Sequence, residues 1–172
     1  MHPVEVAALL ARLGYSDDVV AAAVLHDVLE DTDAQRTDLQ AVFGNRVAGL
    51  VALVSDDPSI PNEDGRKVDV RERVGTAGGD GLAVYAADKV SKVRELRMLI
   101  AGGLDRGTTD VKYRRYQASL AMLERHLGDA HLVELLRFEL EAQQLPPVSG
   151  GSPSHREIPP GGGTPGGFPS AR

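Results

Sequence analysis

The stretch 19–32 limits the possible folds of this chain more than any other. Residues 19–25 read V-V-A-A-A-V-L, an apolar run that predicts a buried helical face. The run passes directly into H-D-V-L-E-D-T. On a continuous helix His26 and Glu30 stand one turn apart, and so do Asp27 and Asp31. Four ionisable groups leaving a buried run are costly unless something binds them. A metal ion with water is the economical answer, and the rest of the chain is expected to serve that patch.

Composition says what the surrounding core is made of. Hydrophobic residues are 42% of the 172, but aromatics only 4%. A core of Ala, Leu and Val favours closely packed helices over an aromatic-rich sheet, so the expected fold class is all-α. The chain has no cysteine, which excludes disulfides, iron–sulfur clusters and thiolate zinc sites. A net charge of −6 argues against a nucleic-acid polymer as partner. It leaves room for a small phosphorylated ligand in a local basic pocket. No apolar run approaches the ~20 residues of a membrane span, and no basic segment followed by an apolar one opens the chain. No membrane partner is expected, and a cytoplasmic location is the default. Oligomeric state is not legible.

Helices are expected over about 3–13, ended by Gly14, and over 19–29, capped by Ser16 or Asp17. Thr37 caps a short helix that Gly44 punctuates, and Val47, Leu50, Val51 and Val54 mark the next. Two prolines and a cluster of turn formers make 56–65 a surface loop. Arg66, Lys67, Arg71 and Arg73 read as a solvated face of a helix over 66–74. Residues 76–81 hold three glycines and form a turn. They lack the Lys-Ser/Thr ending of a phosphate loop. A long helix over 82–100 has its apolar first half broken by Asp88. Another begins at Thr109 or Asp110, with Tyr113 and Tyr116 read as core, and the last spans about 130–144. His126, His131 and His155 have no partner motif. Of the 27 residues 146–172, seven are Pro and seven Gly, which predicts a disordered tail after one domain, 1–145.

Three places now line up: H-P-V-E-V-A from His2, L-H-D-V-L-E-D-T from Leu25, and A-D-K-V-S-K-V-R-E-L around Asp88. With F-G-N-R-V-A-G-L-V at 43–51, this ordered set resembles the HD superfamily of metal-dependent phosphohydrolases. More narrowly it is similar to the RelA/SpoT-type (p)ppGpp hydrolase domain and its small stand-alone relatives, over residues 2–100 and more weakly over 113–120. The resemblance implies a helical HD-domain bundle in which His2, His26, Asp27 and Asp88 hold a divalent metal. It implies that Glu30 and Asp31 act catalytically on the water, Glu30 having the longer reach. Lys89 and Lys92 follow Asp88 closely and are expected to bind substrate. The mixed nitrogen and oxygen shell suits Mn²⁺ better than Ca²⁺. The implied reaction is release of pyrophosphate from guanosine 3′-diphosphate 5′-(di/tri)phosphate by metal-activated water, a reaction of the stringent response. The alternative is a non-catalytic HD module that binds a nucleotide or a partner.

The chain departs from the family pattern in two ways. The family carries a basic segment before the His-Pro pair, whereas this sequence opens at Met1-His2, so the expectation is either a start further upstream or a site short of support. Lys92 stands where an asparagine is usual, and Glu95 where a small hydroxyl residue is usual. Both family residues help hold the nucleoside. An extra lysine favours a more phosphorylated or differently placed substrate.

Overall fold

The described fold is built of helices, with glycines at several of its corners. The computed structural model describes residues 2–104 and 106–144, and the expected tail, 146–172, lies outside the described residues. The elements are α1 (His2–Arg12), α2 (Asp17–Leu25), α3 (Val28–Asp31), α4 (Arg36–Val54), α5 (Glu63–Ala77), α6 (Gly79–Ala101), α7 (Arg106–Leu127) and α8 (His131–Gln144). Among the described residues there is no strand, as the aliphatic composition leads one to expect.

The corners follow from local chemistry. Gly14 takes φ +79° after α1, and Tyr15 N–H reaches back to Leu10 C=O at 3.2 Å. That is a Schellman-type stop, which needs a residue free to adopt positive φ. Gly44 lies inside α4 with φ +82° and ψ 171°, so α4 is two helical pieces meeting at a kink. The two helices expected on either side of Gly44 are therefore both present. The cap is not Thr37, which lies within the helix. Gln35 stands at the N-cap, and its N–H donates to Asp38 Oδ2 at 2.8 Å. Asn62 caps α5 by accepting from Gly65 N–H at 2.6 Å. The turn expected over 76–81 is confined to Gly78, because α6 already starts at Gly79.

Helix α6 is the axis of the packing. It touches α1, α2, α4, α5, α7 and α8. Its residues 82–88 are all buried, including Asp88. Small side chains at Ala22, Ala23, Ala48, Ala83, Ala86 and Ala87 let backbones approach closely. Leu10, Val51, Val84, Val93, Leu123 and Leu136 fill the remaining space. Tyr85 brings a hydroxyl into this core, where it pairs with Ser119 Oγ at 2.8 Å. The view of α5 as a solvated helix needs correction. Val70 and Val74 are buried, and Arg73 donates to the C=O groups of Ala52, Leu53 and Ser55. That guanidinium satisfies carbonyls that the end of α4 leaves open.

Candidate metal centre

Three elements bring their polar residues to one point: the start of α1, the junction of α2 and α3, and the middle of α6. The junction is the first surprise. Residues 19–29 do not form one helix, because α2 ends at Leu25 and α3 begins at Val28. His26 and Asp27 occupy the break, Asp27 at φ −92° and ψ −5°. The one-turn pairing expected for a continuous helix gives way to a turn that presents the two residues side by side.

Hydrogen bonds fix both imidazoles. His26 Nδ1 lies 2.7 Å from Ala23 C=O. A carbonyl only accepts, so Nδ1 carries a proton and Nε2 is the nitrogen left to face the centre. His2 Nδ1 lies 2.9 Å from Ser91 Oγ, and Ser91 donates its own proton to Glu5 Oε2 at 2.7 Å. The serine proton is thus committed, and His2 Nδ1 must donate as well. Arg94 holds Glu5 at 3.3 Å and the buried Glu139 at 2.7 Å, with Arg97 3.0 Å from the other Glu139 oxygen. This chain of charges ties α1 and α8 to α6.

The two Nε2 atoms are 3.2 Å apart. Asp88 Oδ1 lies 2.9 Å from His2 Nε2 and 3.4 Å from His26 Nε2. Asp27 Oδ2 adds a further oxygen 3.1 Å from His26 Nε2. Unprotonated, these atoms would present only lone pairs to one another in a buried place. Such a set repels itself unless a cation lies among its members. The electrostatics of His26 express the same demand. Burial opposes its charging, but hydrogen bonds to Asp27 and Asp88 and their negative charge outweigh it and raise its pKa to about 9. Ligand atoms of His2, His26 and Asp88 all lie within 4.8 Å of one another. Two imidazole nitrogens with carboxylate oxygens form a donor set that fits a divalent transition metal.

Asp88 also meets two lysines. Lys89 Nζ sits 2.5 Å from Oδ2, and Lys92 Nζ 3.0 Å from Oδ1. Burial alone would raise the Asp88 pKa, but these two ammonium groups, with His2 and His26, hold it well below the usual carboxylate range. Lys89 also lies over the Tyr85 ring, 4.4 Å from its centroid.

A cavity of about 190 Å³ opens beside the centre. His26, Asp27, Glu30, Asp88, Lys89 and Lys92 line its inner end. Glu30 Oε1 is anchored by the Asp56 N–H at 2.9 Å. Asp31 is exposed and is not part of the lining. The outer wall comes from α5 and α7 and includes Lys67, Arg71, Lys112, Arg115 and Tyr116. None of these five is in the expected site. Lys67 and Arg71 instead read as solvated surface, and Tyr116 as core. Lys67 pairs with Asp56, and Arg115 with Glu63 and Asp64. Neither Arg71 nor Lys112 pairs with a carboxylate of the described residues. Tyr113 packs against the core and is not part of the cavity lining. A signal for the wall does exist in the sequence. Glu63, Lys67 and Arg71 recur every fourth residue, as do Lys112 and Tyr116, which puts each set on one helical face.

Comparison with known proteins agrees with this geometry. A family profile described as an HD domain matches residues 1–101. The guanosine-3′,5′-bis(diphosphate) 3′-pyrophosphohydrolase MESH1 of Danio rerio is 38% identical over 97 residues, covering 55% of this chain and 53% of its own. The Homo sapiens protein of the same name is 37% identical over 97 residues, covering 55% and 54%. The chain thus spans about half the length of these curated relatives. Among solved structures, lmo0812 from Listeria monocytogenes EGD-e superposes with a TM-score of 0.75 at 25% identity, over 83% of this chain and 95% of that one. A metazoan ortholog of SpoT that hydrolyses ppGpp superposes with a TM-score of 0.72 at 27% identity, over 84% and 80%. No described helix is long and apolar enough to cross a membrane.

Proposed function

The chain belongs to the HD domain family, and from that premise we propose that it is a metal-dependent pyrophosphohydrolase of guanosine 3′-diphosphate 5′-(di/tri)phosphate. The observation that carries the reading is the convergence of His2 Nε2, His26 Nε2 and Asp88 Oδ1 with both Nδ1 atoms already committed. The relatives named as 3′-pyrophosphohydrolases of that nucleotide supply the substrate.

His2, His26, Asp27 and Asp88 would hold the metal, with Mn²⁺ the best match to two imidazoles and two carboxylates. When bound, the metal supplies Lewis-acid polarisation of the phosphoryl group and acidifies a water. Glu30 lines the cavity with one oxygen anchored by Asp56 N–H. Its second oxygen takes the proton of the attacking water. The water oxygen bonds to the phosphorus attached at the nucleoside 3′ oxygen. The bond from that phosphorus to the 3′ oxygen breaks, the oxygen takes up a proton, and pyrophosphate leaves. Lys89, Lys92, Arg71 and Lys112 offset the phosphate charge, and Tyr116 offers a ring on which the base can lie. Asp31, exposed and outside the cavity lining, takes no step.

The test is pyrophosphate release from ppGpp by purified protein with Mn²⁺. The expected result is stoichiometric pyrophosphate and GDP, lost in His26→Ala. A wild-type protein that binds ppGpp and Mn²⁺ but turns over neither this nor any other nucleotide would sink the hydrolase reading and favour a binding module.

A further inference from the structure

Two lysines attend Asp88, and they are not equivalent. Lys89 takes Oδ2, is 12% exposed, and is pinned over the Tyr85 ring. Lys92 takes Oδ1, the oxygen toward which both histidine Nε2 atoms point. It is 30% exposed and lies on the cavity wall, and its ammonium also stands 3.7 Å from Asp27 Oδ1. Lys92 therefore spans the two carboxylates of the metal centre with a positive charge of its own. Lysine is a compact charge on a flexible four-carbon stem, and the space beside this one is the cavity.

We propose that Lys92 is a resident counter-cation of the metal centre: it competes with the metal for Asp88 Oδ1 and, once displaced, turns its ammonium into the cavity to receive a phosphate oxygen. This rests on the metal-binding reading above. Like charges that share one oxygen repel strongly even at an effective interior dielectric, so Lys92 lowers metal affinity while it stays on Asp88. The charge tally gives the ligand class. With a metal bound its imidazole ligands are neutral, Asp27 and Asp88 contribute −2, and Lys89 and Lys92 +2. These contributions cancel and leave the +2 of the divalent ion as an excess. A dianionic phosphate or diphosphate group offsets that excess, and a neutral nucleoside does not. Lys92 thereby links metal occupancy to selection for a phosphorylated substrate.

The test titrates Mn²⁺ alone into the full chain by calorimetry, comparing wild type, Lys92→Gln and Lys92→Arg. Removing the competing charge should tighten Mn²⁺ binding by about tenfold or more, while the arginine variant should stay close to wild type. In the wild type, acetylation of Lys92 followed by mass spectrometry should rise severalfold on saturation with Mn²⁺, with Lys89 unchanged. Equal or weaker Mn²⁺ binding by a helical, folded Lys92→Gln overturns the proposal, as does Lys92 acetylation that ignores Mn²⁺. Should Lys92→Gln not fold, the acetylation of the wild type decides alone. Mn²⁺ binding with no effect at Lys92 overturns this proposal and leaves the metal reading standing. No Mn²⁺ binding by either wild type or Lys92→Gln removes both.

Discussion

The inner and outer ends of the cavity are built on different principles. At the inner end, His2, His26 and Asp88 are largely buried, and each imidazole is bonded on its far nitrogen. Beyond His2 lies a line of partners, Ser91, Glu5, Arg94 and Glu139, that fixes its orientation. At the outer end, the cations of α5 and α7 are long side chains. Lys67 pairs with the part-buried Asp56 and Arg115 with the exposed Glu63 and Asp64, and two cations carry no such partner among the described residues. A buried donor set is held by geometry and tolerates little change. A surface wall of cations acts through summed charge and tolerates more. The inner end is thus suited to fix the chemistry, and the outer end to tune what enters.

That contrast can be broken in order of expected effect. Asp88→Ala and His26→Ala should each weaken Mn²⁺ binding by more than about 100-fold in a calorimetric titration, beyond the usual cost of outer-sphere changes. A loss of only a few-fold would mean that the convergent atoms are not the ligand set. Glu5→Gln and Ser91→Ala both leave the ligands in place: Ser91→Ala frees His2 Nδ1 from its anchor, and Glu5→Gln weakens the acceptor that fixes the serine. Each should cost about 10-fold or somewhat more in Mn²⁺ affinity, with Ser91→Thr restoring most of it. If both variants match wild type, the buried line behind His2 is packing and not orientation. Arg71→Ala and Lys112→Ala should leave Mn²⁺ affinity within about twofold and raise KM for ppGpp by about 5- to 10-fold, the loss of one charge-assisted hydrogen bond each. The same variants should flatten the salt dependence of KM. A change in metal affinity would erase the distinction between the two ends. The smallest effect belongs to the frame. Arg73→Met removes the donor to three carbonyls at the end of α4 and should destabilise the fold by about 1–2 kcal/mol in urea unfolding.

The same contrast explains what could be read from the chain. The inner end is local in sequence. His26-Asp27 are adjacent, and Asp88 interrupts an apolar run, so each announces itself as a polar residue where a core is expected. The helices were legible for a similar reason, since Gly14, Gly44, Gly102 and Gly128 sit where the aliphatic periodicity stops. The break at His26 was not legible. Residues 19–31 carry no glycine or proline, and a partner of the segment after the break comes from far along the chain, the Asp56 N–H that donates to Glu30 Oε1 at 2.9 Å. The wall was missed because its parts stand about 45 residues apart on α5 and α7. Each half alone looks like an ordinary charged helix face, and only their packing makes them one surface. Asp31 is the converse case. A motif neighbour of Glu30 in sequence is exposed and apart from the cavity once α3 turns away.

Because α6 touches six other helices, Asp88 cannot reach its position before most of the molecule has assembled. His2 and Asp88 are 86 positions apart in the chain, and no local fragment contains both. A metal that recognises this pair therefore recognises only the native ensemble. By thermodynamic linkage, binding at 100-fold above Kd would add about 2.7 kcal/mol to unfolding, and chelation would remove the same amount. Every measured metal affinity of this protein is then in part a measurement of how often the chain is folded.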